Sequence, residues 1–214
     1  MKEFDLILKT AEKSMGFAPS SLIAMSKKPN ILGSFSMLFA NIKGFQSSDV
    51  TAGDALKLAF KNLKWSIKAK KESHLEVPSY LKDLIAHVVS NAAGCRYCQA
   101  HTAHTAHRNG VAIEKLQKVW ECQTSDLFTD EERAALSMAQ AAGSVPNQVT
   151  RAHHIELEKS YTAPQIVEIV ATISIFGFLN RWNDTMATKL EEKPLKFAQE
   201  HLSANWEPGK HVSA

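Results

Sequence analysis

The chain contains little cysteine, with three residues of this type among 214. It also lacks a run of about 18 uncharged apolar residues, because Glu168 and Arg181 interrupt the best candidate for a membrane-spanning helix. Glu3 and Asp5 stand where a secretory signal peptide would carry basic and then apolar residues. We therefore expect a cytoplasmic protein with no membrane partner.

The chain also lacks a large net charge. Its formal net charge of +3 is too small to indicate a nucleic-acid partner. The densest basic segment spans residues 57–71, and its lysines recur every three or four positions opposite apolar residues. That spacing is typical of the solvated face of a helix. The composition, 44% hydrophobic and 22% charged, is that of an ordinary globular protein.

Segments that alternate apolar and polar residues between hairpin signals are absent, and helical periodicity is found instead. Residues 81–92 carry apolar side chains at steps of three and four, as a helix buried on one face does. Pro78 stands at the expected first turn of this helix, and Gly94 ends it. Cys95 is therefore expected to open the next helix.

Later segments extend the helical pattern. Residues 164–180 are apolar on nearly every face, which predicts a helix that is buried on most sides. The tail after about Leu202 is expected to fray. Together these patterns predict a single all-α domain over residues 1–214, compact and built of many helices, with its core at about residues 30–190.

A sequence pattern that occurs twice suggests that part of this domain is duplicated. An acid, an apolar helix and a polar pair occur twice in the chain, with the pair twelve and fifteen residues after the acid. This correspondence predicts an internal helical repeat. The two sets are Asp83 with Cys95 and Cys98, and Glu168 with Asn180 and Asn183.

Two of the three cysteines form a Cys-x-x-Cys segment with a histidine three residues further on, at Cys95, Cys98 and His101. In a reducing compartment such a pair is more often catalytic or metal-binding than structural. In the first turn of a helix the dipole favours the thiolate of Cys98, and a thiolate is the nucleophile towards a peroxide O–O bond. The resulting sulfenic acid would be resolved to a disulfide by the other thiol, one helical turn away.

Two other interpretations of the pair are open. The cysteines could be core residues that fall at this spacing by accident, as the separate Cys122 is most simply interpreted. They could also be half of a zinc site with His101, His104 or His107. Zinc is the weaker hypothesis, because such a site usually takes its ligands from two elements and no second pair stands at ligand spacing elsewhere.

Histidines on both sides of the dithiol are candidates for moving its protons. His101 is best placed to exchange a proton with Cys98, from the next turn of the same helix. His87 stands four residues after Asp83, so the carboxylate could orient the imidazole and raise its basicity. An ordinary surface position for Asp83 is the competing interpretation.

Glu168 is a further candidate acid. It is the only charged residue in the apolar segment 164–180, so it either reaches an edge or is buried with a partner. A buried carboxylate with a raised pKa would suit a proton relay. A structural ion pair or hydrogen bond explains the same position equally well.

Residues 81–102, from Leu81 through the two cysteines to Thr102, resemble the core of the carboxymuconolactone decarboxylase superfamily. Within it they are closest to the alkylhydroperoxidase-D-like and peroxidase-related members. Residues 176–184 are similar to the family's second-half helix, so the resemblance covers roughly residues 30–190, with only the cysteine segment highly specific. The resemblance implies an all-α fold of stacked helices that assembles as a homodimer, trimer or hexamer.

The resemblance also implies peroxide reduction, with Cys98 as the peroxidatic cysteine, Cys95 as the resolving one, and a reducing dithiol protein as electron donor. No cofactor or metal ion is expected. The family's relay acid falls at Asp83, where glutamate is usual, and its relay histidine falls at Thr102. The candidates for a rebuilt relay are His101, His87 and Glu168.

These features favour a thiol-dependent peroxidase or disulfide reductase that acts on an organic or hydrogen peroxide in antioxidant defence. A lyase like the superfamily's namesake is the first alternative, but its reaction needs acid–base groups and no dithiol. The presence of both Cys95 and Cys98 argues against it. A non-catalytic helical assembly or redox-sensing protein is the second alternative.

Overall fold

The computed structural model describes residues 7–9, 12, 20–43, 52–71 and 75–212. Every regular element within these ranges is a helix, which confirms the all-α fold class. Two short 3-10 helices, Val119–Glu121 and Gly209–His211, accompany the α-helices. The α-helices are α1 (Ser20–Met25), α2 (Pro29–Lys43), α3 (Ala52–Lys71), α4 (Ser79–Ala92), α5 (Arg96–Arg108), α6 (Ile113–Gln117), α7 (Asp130–Gly143), α8 (Arg151–Ser160), α9 (Ala163–Met186) and α10 (Glu192–His201).

The chain divides into two compact units, Met1–Glu76 and Val77–Ala214. In the first unit α2 packs against α1 and α3, and Ile7, Leu32 and Trp65 form a cluster of buried side chains among the residues described there. The second unit holds the dithiol and the larger core. The single domain over residues 1–214 stays a prediction.

Helix α4 is the centre of the second unit and packs against α5, α7 and α9. The apolar residues at the predicted spacing are buried, but so are the other residues from Leu84 to Ser90. Seven consecutive residues span nearly two helical turns, so this part of α4 is enclosed on all sides, and the prediction of burial on one face is wrong because neighbouring helices pack around it. The helix ends before Gly94, whose φ of +76° lies in the left-handed region that favours glycine. This turn reverses the chain, so the start of α5 lies beside the end of α4. The buried side chains of α4 are Leu81, Leu84, Ile85, Ala86, His87, Val88, Val89 and Ser90.

Helix α9 packs against α4, α5, α7 and α8, yet it is buried on one face only. The prediction of burial on most sides is wrong, because an opposite face exposes large apolar side chains such as Phe178 and Trp182. By length and composition alone α9 could cross a membrane, but core helices of globular proteins meet the same two criteria. The buried residues of α9 are Glu168, Ile169, Ile173 and Asn180.

The segment after Leu202 is packed, so the prediction that it frays is wrong for residues 203–212. Trp206 is buried and donates its indole N–H to Oε1 of Gln99 on α5, at 2.9 Å. The backbone N–H of Leu190 donates to the carbonyl of His211 at 2.7 Å. These contacts fix the C-terminal 3-10 helix beside the start of α5.

The two stretches of the predicted internal repeat differ in structure. The first is two helices, α4 and α5, separated by the turn at Gly94, whereas the second lies within the continuous helix α9. The end of the second stretch nevertheless meets the first, because Asn183 contacts Cys98. The two stretches therefore do not repeat the same helix boundaries, and the internal repeat stays a prediction.

Gly143, at the end of α7, fixes the distance between α7 and α4. A Cβ at this position would lie 2.9 Å from Cβ of Ala92 and 3.0 Å from the carbonyl oxygen of Val89. We expect Gly143→Ala to lower the free energy of unfolding by about 1–3 kcal/mol, because the backbone of α4 must move. Urea denaturation of the parent and the variant measures this change.

Gly177→Ala is the matched control, because Gly177 lies inside α9 with nothing within 4 Å of the added Cβ. This variant is expected to raise the free energy of unfolding by about 0.5–1 kcal/mol, since alanine is the better helix former. Changes of the same sign and size in both variants would contradict the close approach of α7 to α4.

Candidate active site

The dithiol lies at the N-terminus of α5. Cys95 is the N-cap residue of this helix, and the backbone N–H of Cys98 donates to its Sγ at 3.4 Å. Both side chains are buried, with exposed fractions of 1% for Cys95 and 4% for Cys98, and both thiols are free. The prediction that Cys95 opens the helix is confirmed.

The contacts of the pair affect the pKa of the two thiols in opposite directions. The neighbouring Cys98 side chain and the backbone N–H of Cys98, which donates to Cys95 Sγ, lower the pKa of the Cys95 thiol. The neighbouring Cys95 side chain and burial raise the pKa of Cys98. The dipole argument from the sequence expected the thiolate on Cys98. The N–H groups of the first turn are directed at the N-cap side chain instead, so they stabilise a thiolate on Cys95.

Three residues far along the chain complete the surroundings of the dithiol. The Asn183 amide Nδ2 lies 3.6 Å from Cys98 Sγ. The donor atoms of Cys95, Asp184 and His211 lie within 4.8 Å of one another. Cys95, Asp184 and His211 offer a thiol, a carboxylate and an imidazole, and this set could hold a metal ion.

His211 is the histidine that sequence reasoning missed. Its side chain is 1% exposed, its Nδ1 lies 2.8 Å from the carbonyl oxygen of Thr188, and its Nε2 lies 3.6 Å from Asp184 Oδ1. The other oxygen of Asp184 accepts a hydrogen bond from Lys210 at 2.9 Å. His211 stands in a tail that was expected to fray, so nothing in its sequence neighbourhood signalled this position.

His101 lies in the next turn of α5, as the sequence predicts, but its ring has other partners. Nε2 lies 2.6 Å from Oε2 of Glu191, and the ring stacks on Tyr97 with centroids 4.3 Å apart. The hydroxyl of Tyr97 donates to the same carboxylate at 3.2 Å. These contacts occupy the imidazole at the edge of the site, and its role as a proton donor to Cys98 stays a prediction.

His87 is buried behind the dithiol. Its Nδ1 lies 3.2 Å from Thr102 Oγ1, and the Thr102 hydroxyl donates to the carbonyl oxygen of Cys98 at 2.6 Å. The Asn91 amide lies against the ring, 3.2 Å from Nε2. Burial lowers the pKa of His87 to about 4, so the imidazole is neutral near pH 7. The pair of His87 and Thr102 stands where the family resemblance places its relay histidine.

Asp83 and Glu168 are not brought to the dithiol. Asp83 accepts a hydrogen bond from the Asn109 amide at 2.7 Å, and Asn109 caps the opposite end of α5, roughly 16 Å along the axis from Cys98. Asp83 therefore pairs with Asn109 in place of the predicted pairing with His87. The distance along the helix separates Asp83 from the reacting sulfurs.

Glu168 is buried and paired, which agrees with the interpretation of this residue as a structural ion pair or hydrogen bond. Its Oε2 accepts a hydrogen bond from the backbone N–H of Val77 at 3.0 Å and forms an ion pair with Lys82 at 3.0 Å. It precedes Asn183 by fifteen residues of the continuous helix α9, a distance of roughly 22 Å along the axis. Glu168 joins α9 to the start of α4, away from the dithiol.

Protonation of His87 is expected to destabilise the fold in acid. Its folded pKa of about 4 lies below the unfolded value of 6.5, so between these values the unfolded chain binds the extra proton. Stability attributable to His87 is therefore present above pH 6.5 and falls by about 3 kcal/mol as the pH drops towards 4. Denaturant titrations from pH 7 to pH 4 measure this loss.

The control for this prediction is His87→Gln, which has no titratable group at that position. The free energy of unfolding of this variant should fall less steeply with pH than that of the parent, by about the same 3 kcal/mol over the range. Identical pH dependences for the two proteins would show that the His87 imidazole is protonated equally in both states.

Comparison with known proteins finds a matching family profile and similar solved structures. The solved structure of the debrominase Bmp8 is 32% identical in sequence, covers 93% of this chain and 91% of Bmp8, and superposes with a TM-score of 0.56. The profile of the carboxymuconolactone decarboxylase family matches residues 55–141. The chain belongs to this family. A Cys→Ala variant of Bmp8 in complex with 2,3,4-tribromopyrrole covers the same shares of the two chains, at 31% identity.

Two further relatives of this carboxymuconolactone decarboxylase family member are less informative about chemistry. The uncharacterised protein YnjA of Escherichia coli K12 is 31% identical over 107 residues, which are 50% of this chain and 58% of YnjA. The match thus spans little more than half of YnjA. A protein of unknown function from Agrobacterium tumefaciens, named for AhpD-type antioxidant defence, is 18% identical, covers 68% of this chain and 99% of its own, and has a TM-score of 0.51.

The A. tumefaciens protein shares the fold with the chain, and this confirms the predicted AhpD-like architecture. Decarboxylase and debrominase are both names of enzymes, which supports an enzymatic role for this family member. The two names denote different reactions, so they do not identify the reaction of this chain.

Proposed function

We propose that the chain is a thiol-dependent oxidoreductase that reduces a hydroperoxide by two electrons supplied by Cys95 and Cys98. The observation that carries this proposal is the placement of both thiols at the N-terminus of α5, where the backbone N–H of Cys98 donates to Cys95 Sγ at 3.4 Å. Two sulfurs placed in this way can close a disulfide without moving the backbone, because they lie one helical turn apart.

In the first step the proton of Cys98 passes to Cys95, which acts as its base. The Cys98 thiolate attacks the O–O bond, forming a sulfenic acid at Cys98 and an alkoxide. The alkoxide takes the proton held by Cys95 and leaves as the alcohol. This regenerates the Cys95 thiolate, the form that its helix-cap position favours.

In the second step the Cys95 thiolate attacks the sulfur of the sulfenic acid. An S–S bond forms, and hydroxide leaves and takes up a proton from solvent to become water. The two sulfurs have then lost two electrons, and the peroxide has become an alcohol and water. The cycle is closed by a reducing dithiol protein, which exchanges its own thiols for the disulfide.

The neighbouring side chains assist these steps. The Asn183 amide lies at Cys98 Sγ and can donate a hydrogen bond to its thiolate. His211 and Asp184 lie beside Cys95 and can exchange its proton with solvent. Cytoplasmic location and assembly into a homo-oligomer belong to the same proposal.

Reductive debromination is a second candidate, favoured by the 32% identity to the debrominase Bmp8 over nearly the whole of both chains. In this reaction a ring carbon of the brominated substrate takes up a proton. The Cys98 thiolate then takes the bromine, and the electron pair of the C–Br bond stays on carbon. The Cys95 thiolate displaces bromide from the S–Br intermediate, and the same disulfide forms.

The experiment compares both reactions on one preparation of reduced protein with dithiothreitol as the electron donor. Consumption of cumene hydroperoxide is measured in one arm, and release of bromide from tribromopyrrole in the other. The Cys122→Ser variant is the matched thiol control, because Cys122 is buried and belongs to the hydrophobic core. It should behave as the parent in both arms.

Hydroperoxide consumption that requires Cys98 supports the proposed function. Bromide release without hydroperoxide consumption would overturn it in favour of debromination. Inactivity in both arms would overturn both candidates and favour a lyase or a non-catalytic helical protein.

A further inference from the structure

We propose that the reduced protein binds one zinc ion through Cys95, Asp184 and His211. Their donor atoms lie within 4.8 Å of one another, and they come from three elements: the cap of α5, the last turns of α9 and the C-terminal 3-10 helix. The weakness of the zinc hypothesis from sequence was the lack of ligands on a second element. Asp184 and His211 supply those ligands.

His211 has the arrangement of a metal-binding histidine. Its Nδ1–H donates to the carbonyl oxygen of Thr188, which fixes the ring and leaves the lone pair on Nε2. Nε2 faces Asp184 and is buried without a hydrogen-bond partner among the described residues. A buried nitrogen of this kind is costly unless something binds it, and a cation between His211, Asp184 and Cys95 would do so.

The carboxylate of Asp184 can serve a metal ion and its present partner at the same time. Oδ2 forms the ion pair with Lys210, while Oδ1 is the oxygen 3.6 Å from His211 Nε2. A monodentate contact through Oδ1 therefore leaves the ion pair with Lys210 intact. Lys210 directly precedes His211, so its ion pair with Asp184 also helps to fix the position of His211.

The donor set fits zinc better than a hard cation. Thiolate and imidazole ligands suit Zn²⁺, whereas Mg²⁺ and Ca²⁺ prefer oxygen ligands. Ligand atoms of a tetrahedral zinc site lie roughly 3.5 Å apart, so rotations of the side chains close the present spacing. With three protein ligands, the fourth position of a tetrahedral ion would be taken by water.

Zinc binding and disulfide formation exclude each other, because both use Cys95. Binding involves no electron transfer, and each thiol proton that the metal displaces leaves to solvent. The inference does not rest on the proposed peroxidase reaction. The zinc proposal predicts that the ion binds to Cys95 only while Cys95 and Cys98 are reduced.

The test is a titration of Zn²⁺ against a chromophoric chelator, with fully reduced protein and no peroxide present. We expect one zinc per chain, and at least a tenfold loss of affinity in both His211→Gln and Cys95→Ser. Cobalt in place of zinc should give a sulfur-to-metal charge-transfer band that both variants lose. Circular dichroism of each variant checks that its helices are kept.

Two matched controls accompany the titration. Cys122→Ser removes a thiol outside the cluster, and His154→Gln removes an exposed imidazole on α8. Both should bind zinc as the parent does. The proposal is overturned if the parent binds no zinc, if the disulfide form binds equally well, or if folded His211→Gln keeps the affinity of the parent.

Discussion

Cys98→Ser is expected to lower peroxide turnover on the order of 1,000-fold or more, because the residue that attacks the peroxide is removed. Serine keeps the size of the side chain but has no thiolate at neutral pH. Steady-state consumption of cumene hydroperoxide measures the loss. No sulfenic acid should be trapped in this variant after a single equivalent of peroxide.

Cys95→Ser separates the roles of the two sulfurs. This variant should also lose turnover, yet it should still consume one equivalent of peroxide and hold a sulfenic acid at Cys98, since the resolving thiolate is absent. Oxidation should be slower than in the parent, because the proposed reaction uses Cys95 as the base that takes the proton of Cys98. A trapped sulfenic acid in Cys98→Ser and none in Cys95→Ser would reverse the assignment.

Trp206→Ala has the largest expected effect on stability. The indole is 7% exposed, packs among Ala100, Leu190 and Ala198, and donates to Gln99 on α5. We expect the free energy of unfolding to fall by about 3–5 kcal/mol, because a large cavity replaces the ring. Chemical denaturation of the purified variant measures the change.

Trp120→Ala is the matched control, since Trp120 is 47% exposed. Its effect on the free energy of unfolding should stay below about 1 kcal/mol. The two tryptophan variants would behave alike if the C-terminal segment were detached. A clear difference between them shows that residues 203–212 form part of the core beside the dithiol.

Local patterns were enough to predict the part of the site that lies on consecutive elements. The apolar spacing of residues 81–92 predicts α4, and Gly94 predicts the turn that makes Cys95 the cap of α5. These features depend on side-chain periodicity and backbone conformation over a few residues. The dithiol and its helix therefore follow from the sequence.

Contacts between distant segments could not be predicted in this way. His211 lies near Cys95 in a segment that contacts of Trp206 and of the Leu190 backbone hold in place. The face of α9 that is buried is set by its neighbours in space, which an apolar sequence does not specify. For the same reason the sequence predicts His101 as the proton donor but does not predict the contact of its ring with Glu191.

Counting thiols is the most direct test of the central claim that Cys95 and Cys98 act together as a two-electron donor. Fully reduced protein is treated with one equivalent of an organic hydroperoxide, quenched, and analysed by thiol titration and by mass spectrometry. The account predicts a rapid loss of two thiols per chain, a disulfide between Cys95 and Cys98, and Cys122 unchanged. Thiols that remain reduced for hours would contradict it.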